Sequence, residues 1–409
     1  MLPAANRYSK LRWLWTIASL LFYIADIGSD VGLVLRYVRE RHFLWAGLTG
    51  AFVLVALAVT QVFSYAWYKD DMEDVSLNPE GKPTPSTVAC MRLVSLHVLG
   101  MGILTRYVQL LKAGHRELWA ASSAPPSPEE ERGAHHRLFC LATDLSMLKL
   151  FEAFLESVPQ LLLQTFLILR HGECSPVQYV CMAFSCLNAA WALVDYRRCL
   201  RRSLPAAQEM AAGLPTAVYL LYKLLTLASR LLAFALLLCL SPCALGGLAA
   251  LWLLGTLWAH RLQTSFCARR TTEWVYRAAV GAVLTFTFFN VQGQATRGPM
   301  TLYYLLHAAV NAAAPLLFAL LWTPPLALPG TTTATAAPPP APTATELWYF
   351  WAVVGAIAVG TGVGLLCLAV YYARLHPPGK RREADEVDGP GGGGGPRGGG
   401  DRTRAFLQL

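Results

Sequence analysis

Acidic and basic side chains recur inside the most apolar stretches of this chain, and their spacing is helical. Asp26 and Asp30 stand four residues apart, as do Glu152 and Glu156, so each pair shares one helix face. Asp144 and Lys149 precede the second pair, Asp195 and Arg198 close a later apolar stretch, and Lys223 and Arg230 lie inside another. A charge at the bilayer centre costs about 2.5–3.5 kcal/mol on insertion scales, so each of these groups needs a partner, water or a function. Two carboxylates on one face repel unless water or cations reach them. One arrangement that satisfies them is an internal ion-pair cluster, with Lys223 and Arg230 neutralising carboxylates. The other is a hydrated path along which polar groups cross. Depth favours the path: Asp144, Glu152 and Glu156 fall about 0, 12 and 18 Å along their helix, whereas a binding site would gather them in one layer. Pro159 follows and should loosen that helix near the midplane.

A second chemistry is written in the tail. Residues 385–389 read Asp385-Glu386-Val387-Asp388-Gly389. Effector caspases of the caspase-3 type cut after Asp, prefer another Asp three residues earlier and accept a small residue after the cut. They need an extended, unfolded substrate strand. The surrounding READEVDGPGGGGGP is too polar and Gly-rich to bury a core. Cutting after Asp388 frees a segment ending in AFLQL, and an apolar end on a glycine linker reads as a tethered plug. Other signatures are missing. The sequence contains no Walker A motif, no HExxH and no Asn-x-Ser/Thr sequon, so an ATP-driven pump or an enzyme is not expected. The cysteines lack zinc spacing and read as small packing residues, so no metal or cofactor is expected; Cys174 and Cys243 fall near outer loops, leaving room for one disulfide.

The elements that must position these residues follow from composition. The chain has 409 residues, 55% hydrophobic and 14% charged, with a mean hydropathy of +0.41. Soluble domains run near 25% charged. Apolar blocks cover about 14–37, 43–67, 89–112, 143–169, 176–196, 214–240, 243–259, 274–292, 300–323 and 347–373. Blocks of about 20 residues span the roughly 30 Å hydrocarbon slab as helices, and no period-two pattern supports a barrel. The first block is too long and too acidic for a cleaved signal peptide. The net charge of +9 sits mainly at block ends, where it sets topology and meets anionic lipid, so no nucleic-acid partner is expected.

Ten full crossings would place the Arg197–Arg202 and Arg261–Arg270 clusters outside and leave no charge bias. If blocks 89–112 and 274–292 dip in and return, nearly all Lys and Arg fall on one side, as the positive-inside rule demands. Both blocks are irregular: the first carries Arg92, Arg106 and glycines near Gly100, and the second carries Arg277 and ends at Asn290. The expected fold is therefore all-α and polytopic. Eight transmembrane helices form two pseudo-symmetric repeats with two re-entrant hairpins, and both termini are cytosolic. The organisation is a cytosolic N-terminus (1–13), a first repeat (14–199), a linker (200–213), a second repeat (214–373) and a disordered tail (374–409).

Long segments carry a family resemblance. VFSYAWYKDD (62–71), DLSMLKLFEAFLESVPQLLLQ (144–164), WALVDYRRCLR (191–201), EWVYRAAVGAVLTFTFFNVQGQATRGPM (273–300) and VYYARLHP (370–377) resemble the XK-related membrane proteins. The resemblance implies a phospholipid scramblase of the plasma membrane, silent until caspases remove its tail. It then exposes phosphatidylserine as an engulfment signal on apoptotic cells. The resemblance also implies eight spans in two repeats with two partly inserted segments. It matches the family's intramembrane charges to Asp26, Asp30, Asp144, Glu152, Glu156, Asp195 and Arg198. Phospholipids and effector caspases are the implied partners. Some members need a single-span subunit for surface delivery, and the resemblance leaves that open here. A solute or ion transporter with a midplane polar site is the alternative reading, and a scaffold whose charges only pair is a third.

Overall fold

The computed structural model describes residues 8–73, 87–119, 128–172, 176–203, 210–211, 213–264, 266–267, 269–291, 297–321 and 344–376. The caspase motif (385–389) and Cys174 lie outside the described residues; Cys243 is a free thiol. The apolar blocks are helical, those at 89–112 and 274–292 being interrupted, and among the described residues there is no strand. In chain order the helices are α1 (Lys10–Arg39), α2 (Phe43–Glu73), α3 (Thr87–Val98), α4 (Gly102–Trp119), α5 (Pro128–Glu152) and α6 (Val158–His171). They continue with α7 (Pro176–Ser203), α8 (Leu214–Leu240), α9 (Ala244–Arg261), α10 (Arg270–Phe286), α11 (Arg297–Leu321) and α12 (Ala344–Val370).

Six of these are long and apolar enough to cross a membrane: α1, α2, α7, α8, α11 and α12, or seven with the bent pair α3–α4. Much of the exterior is apolar, with Leu14, Leu21, Leu35, Leu54, Leu253, Leu305 and Leu366 exposed, while Asp30, Arg106, Asp144, Glu156, Arg197, Lys223 and Arg230 are enclosed. That inversion is the expected one for a protein whose outer solvent is lipid.

α3 and α4 meet at a bend of 118°. Gly100 turns the chain with φ +75, a conformation that costs other residues a Cβ clash. The free backbone groups are bridged by one side chain of α2. Gln61 Nε2 donates to the Gly100 carbonyl at 3.1 Å, and the Gly102 N–H donates to Gln61 Oε1 at 2.9 Å. This is how a broken helix survives away from water. A Cβ on Gly102 would press on Gln61 Oε1, His97 at 2.9 Å and Ser64 at 3.0 Å. Gly102→Ala is expected to destabilise by about 1–3 kcal/mol, from overpacking and loss of the Gln61 bridge. Thermal unfolding in detergent should show a lower midpoint, and an unchanged midpoint would refute this account of the bend.

The second half breaks similarly. α10 stops at Phe286, and residues 287–291 continue as buried, non-helical chain. Lys223 of α8 donates to the Phe288 carbonyl at 2.8 Å and to Thr287 Oγ1 at 3.4 Å. Between α5 and α6, Ala153–Ser157 forms a π-helical turn that leads into Pro159. Proline lacks an N–H and crowds the preceding turn, so the wider turn absorbs it and places Glu156 at the loosened position. The loosening expected at Pro159 is therefore present, one turn earlier.

Helix registers are shared inside each half. Lys149 reaches Ser19 and Gln160 reaches Asp30, both 130 residues apart, so α1 runs parallel to α5–α6. Tyr222 bonds Tyr304 and Ser229 bonds Asn311, both 82 apart, so α8 runs parallel to α11. The pairs occupy the first and fourth places in their halves. α12 packs on α8 through Gly360 and Gly364, where an added Cβ would meet Ser229 Cβ at 3.2 Å and Thr226 Cγ2 at 2.9 Å. Small residues four apart let backbones approach this closely.

Candidate functional site

The first-half charges form cross-helix rungs. At the lowest, Asp144 of α5 accepts from Arg106 Nη1 of α4 at 2.9 Å, both side chains enclosed. Arg106 also stacks over the Tyr68 ring at 4.2 Å and reaches the Ser64 carbonyl at 3.4 Å. Asp144 thus pairs with the bent segment, not with Lys223 or Arg230 of α8. Breaking a buried pair from one side costs about 3–5 kcal/mol. Asp144→Asn should therefore lower the unfolding midpoint strongly. Arg106→Met combined with Asp144→Leu should restore most of it; an unstable double variant would show that the pair does more than neutralise itself.

Above it, Lys149 Nζ donates to Ser19 Oγ at 2.6 Å, and Ser19 Oγ also lies 2.9 Å from Tyr107 Oη. Asp195 of α7 and Glu152 are close enough to Lys149 to attract it electrostatically. Next, Glu152 of α5 and Asp26 of α1 are close enough to repel each other. At the top, Glu156 contacts Asp30, and Asp30 accepts from Gln160 Nε2 at 2.9 Å. From Lys149 to Gln160, and equally from Ser19 to Asp30, the rise is about 16 Å, roughly half the hydrocarbon thickness.

Depth of burial separates these residues. Asp30, Asp144 and Glu156 are buried, whereas Asp26, Glu152, Lys149 and Asp195 are half-buried. Gly28 and Gly32, two residues on from Asp26 and Asp30, lie on the opposite, outward face of α1. Asp26 and Glu152 keep partial exposure, so their rung is reachable from one side. A row of carboxylates reached from that side suits water, cations and the amine of a headgroup.

The second half has the opposite sign. α8 and α11 contain no Asp or Glu. Lys223 is spent on the α10 break and on the Tyr222 ring at 4.9 Å. Arg230 is 4% exposed and lies over Phe234 at 4.4 Å; its Nε and Nη1 have no hydrogen-bond partner among the described residues. Nearby, Tyr303 Oη, His307 Nδ1 and Asn311 Oδ1 are unpartnered too. Asn311 Nδ2 holds the helices together through Ser229 at 3.2 Å and Thr361 at 2.9 Å. A buried guanidinium without a counter-ion is costly in hydrocarbon, so this cluster is suited to water or an anion.

The sequence-expected residues thus fall into two groups. Asp26, Asp30, Asp144, Glu152, Glu156 and Asp195 share the first half, and Lys223 and Arg230 share the second. Arg198 is half-buried, and the neighbouring Arg197 is fully enclosed. Arg197 donates to Tyr372 Oη at 3.1 Å and to His376 Nδ1 at 3.4 Å, and lies 4.5 Å from the Tyr219 ring. Its partners follow α12 directly, where the chain leaves the bundle towards the tail. The YRR run hid which arginine faces inward; three aromatic or imidazole groups at 371, 372 and 376 were the available signal.

The comparisons agree with one another. The XK-related protein family model matches residues 14–377. The chain is 50% identical to XK-related protein 9 of Tetraodon nigroviridis, over 94% of this chain and 95% of the relative. It is 31% identical to XK-related protein 8 of the same fish, over 92% and 86%. Against XK-related protein 8 of Pan troglodytes it is 32% identical, over 95% and 90%. On the family match across nearly the whole chain and on these identities, the protein belongs to the XK-related family.

Proposed function

We propose that this chain is an ATP-independent phospholipid scramblase. Caspase cleavage after Asp388 switches it on, and it exposes phosphatidylserine at the surface of apoptotic cells. The observation that carries the reading is the ladder of Asp26, Glu152, Asp30 and Glu156, which runs along the membrane normal with one rung half-open. A headgroup has to stay solvated across about 30 Å, and successive polar stations lower that barrier where one midplane site would not. Family membership and the DEVDG motif support the gating half of the proposal.

The topology belongs to the same proposal. Eight crossings with α3–α4 and α10 returning to the cytosol put the basic loops inside. The two halves, 14–199 and 214–373, act as repeats, and both termini lie in the cytosol of a plasma-membrane protein. Support comes from the parallel α1/α5–α6 and α8/α11 pairs, from the Gln61-bridged chain break at 99–101 and from the buried break at 287–291. Phospholipids are the cargo and effector caspases the activators. The experiment is lipid movement in liposomes by the full chain against a chain ending at Asp388.

One observation favours a transporter instead: Arg230, His307 and Asn311 gather at a single level, as a solute site would. Anion or solute flux in the same liposomes without lipid movement would select that reading.

A further inference from the structure

The ends of α9 and α10 and the loop between them line an open-mouthed basic cavity of about 470 Å³, formed by none of the residues of the two charge groups described above. The two helices pack as a tight hairpin. Gly281 is set so close to α9 that an added Cβ would meet Thr256 N and Trp252 O, each at 2.9 Å. This brings the end of α9 beside the start of α10. The cavity is lined by His260, Arg261, Arg270, Trp274 and Arg277, with Glu273 as the acid.

Glu273 offsets only part of the cavity's charge, through Arg277. Its carboxylate faces the loop, accepting from the Thr264 hydroxyl and from the Cys267 N–H at 2.7 Å, and it is buried. Arg277 lies 3.5 Å from it and is fixed in place. Arg277 Nε and Nη2 donate to Thr264 Oγ1 and O at 3.0 and 2.7 Å, and Nη1 donates to His260 Nδ1 at 2.6 Å. A guanidinium has five N–H groups, so part of its donor set stays available. His260 stacks on Trp274 at 4.7 Å, which holds the wall rigid. Arg261 and Arg270 are exposed and make no ion pair among the described residues. Arg270 also opens α10, whose first-turn N–H groups add to the positive field.

The surroundings say which anion fits. Trp258 and Trp274 are 46% and 45% exposed, and Leu254 and Leu257 on α9 are exposed beside them. Exposed tryptophans next to arginines mark the membrane–water interface. Under the charge-bias topology this loop faces the cytosol, whose leaflet carries the anionic lipids. We propose that the α9–α10 cavity binds the phosphate headgroup of an anionic phospholipid of the inner leaflet, with Arg261, Arg270 and Arg277 as its donors. The proposal rests on the sidedness of the loop and stands whether or not the chain moves lipid.

The full chain in phosphatidylcholine nanodiscs is titrated with phosphatidylinositol bisphosphate, and bound lipid is counted by native mass spectrometry. Arg261 and Arg270 are exposed, so Arg261→Ala with Arg270→Ala leaves the hairpin intact and should weaken binding about 30-fold, each interfacial arginine contributing about a factor of five. Arg116→Ala, an exposed arginine at the end of α4, should leave binding unchanged. Wild-type binding by the double variant, or an equal loss in Arg116→Ala, overturns the site. Inorganic phosphate competing as well as the lipid would make it a free-anion site and overturn the lipid assignment.

Discussion

Replacing Asp388 by alanine is expected to abolish phosphatidylserine exposure in dying cells while leaving surface levels unchanged. Caspases recognise the aspartate carboxylate before the scissile bond through charge-assisted hydrogen bonds, which alanine cannot make. The cut would release residues 389–409, with the apolar AFLQL at the end of the glycine run. Upstream, the chain is anchored: Tyr372 and His376 hold the enclosed Arg197, so the tail leaves from a fixed point. A plug tethered to a fixed point acts at high effective concentration, and cutting the tether removes that advantage without altering any contact in the bundle. Labelled annexin binding during apoptosis should fall to the level of cells lacking the protein. Asp385→Ala should slow the cut less severely. Exposure at the wild-type rate by Asp388→Ala would remove the tail from the mechanism.

The second large effect is expected from Glu152→Gln with Glu156→Gln in the chain ending at Asp388. Glutamine keeps the shape and hydrogen bonding of each rung and removes its charge. Neither residue is bound to Arg106, whose pair with Asp144 holds α4 against α5, so the fold should persist. A headgroup amine loses a charge-assisted hydrogen bond worth about 1.5–3 kcal/mol, which slows passage about tenfold or more. Surface biotinylation alongside lipid internalisation separates the outcomes. Normal surface level with slow lipid movement is the expected result. Retention inside the cell would make the carboxylates structural, and full-rate movement would deny them a role.

Much of this was readable from residue order because lipid imposes simple rules. Ten apolar blocks became helices since a backbone in hydrocarbon has to satisfy itself. Gly100 and Pro159 marked irregular points because their chemistry forbids regular helix, and both points are irregular. The i, i+4 carboxylates announced a shared face. What stayed hidden was partnership across the chain. Nothing in the spacing tells that Asp144 meets Arg106, that Gln61 bridges the α3–α4 break, or that Lys223 caps the end of α10. These are long-range contacts fixed by packing registers. Gly360 and Gly364 did carry a periodic signal for close approach to α8. The α5–α6 run, which bears Asp144, Lys149, Glu152 and Glu156, is not among the six helices apolar enough to cross. The charges that point to function there are what set the run apart from those six.

Once its tail is gone, this chain is expected to equilibrate phospholipid between the two leaflets without ATP. The direct measurement is a liposome assay with a fluorescent phospholipid in both leaflets and a membrane-impermeant quencher outside. With the full-length protein, quenching should stop at the outer-leaflet share, as in empty liposomes. With the chain ending at Asp388, or the full chain cut by caspase-3, quenching should proceed towards completion, without ATP and without leakage of an enclosed dye. If the cut chain also stops at the outer-leaflet share while correctly folded in the membrane, the scramblase account is contradicted.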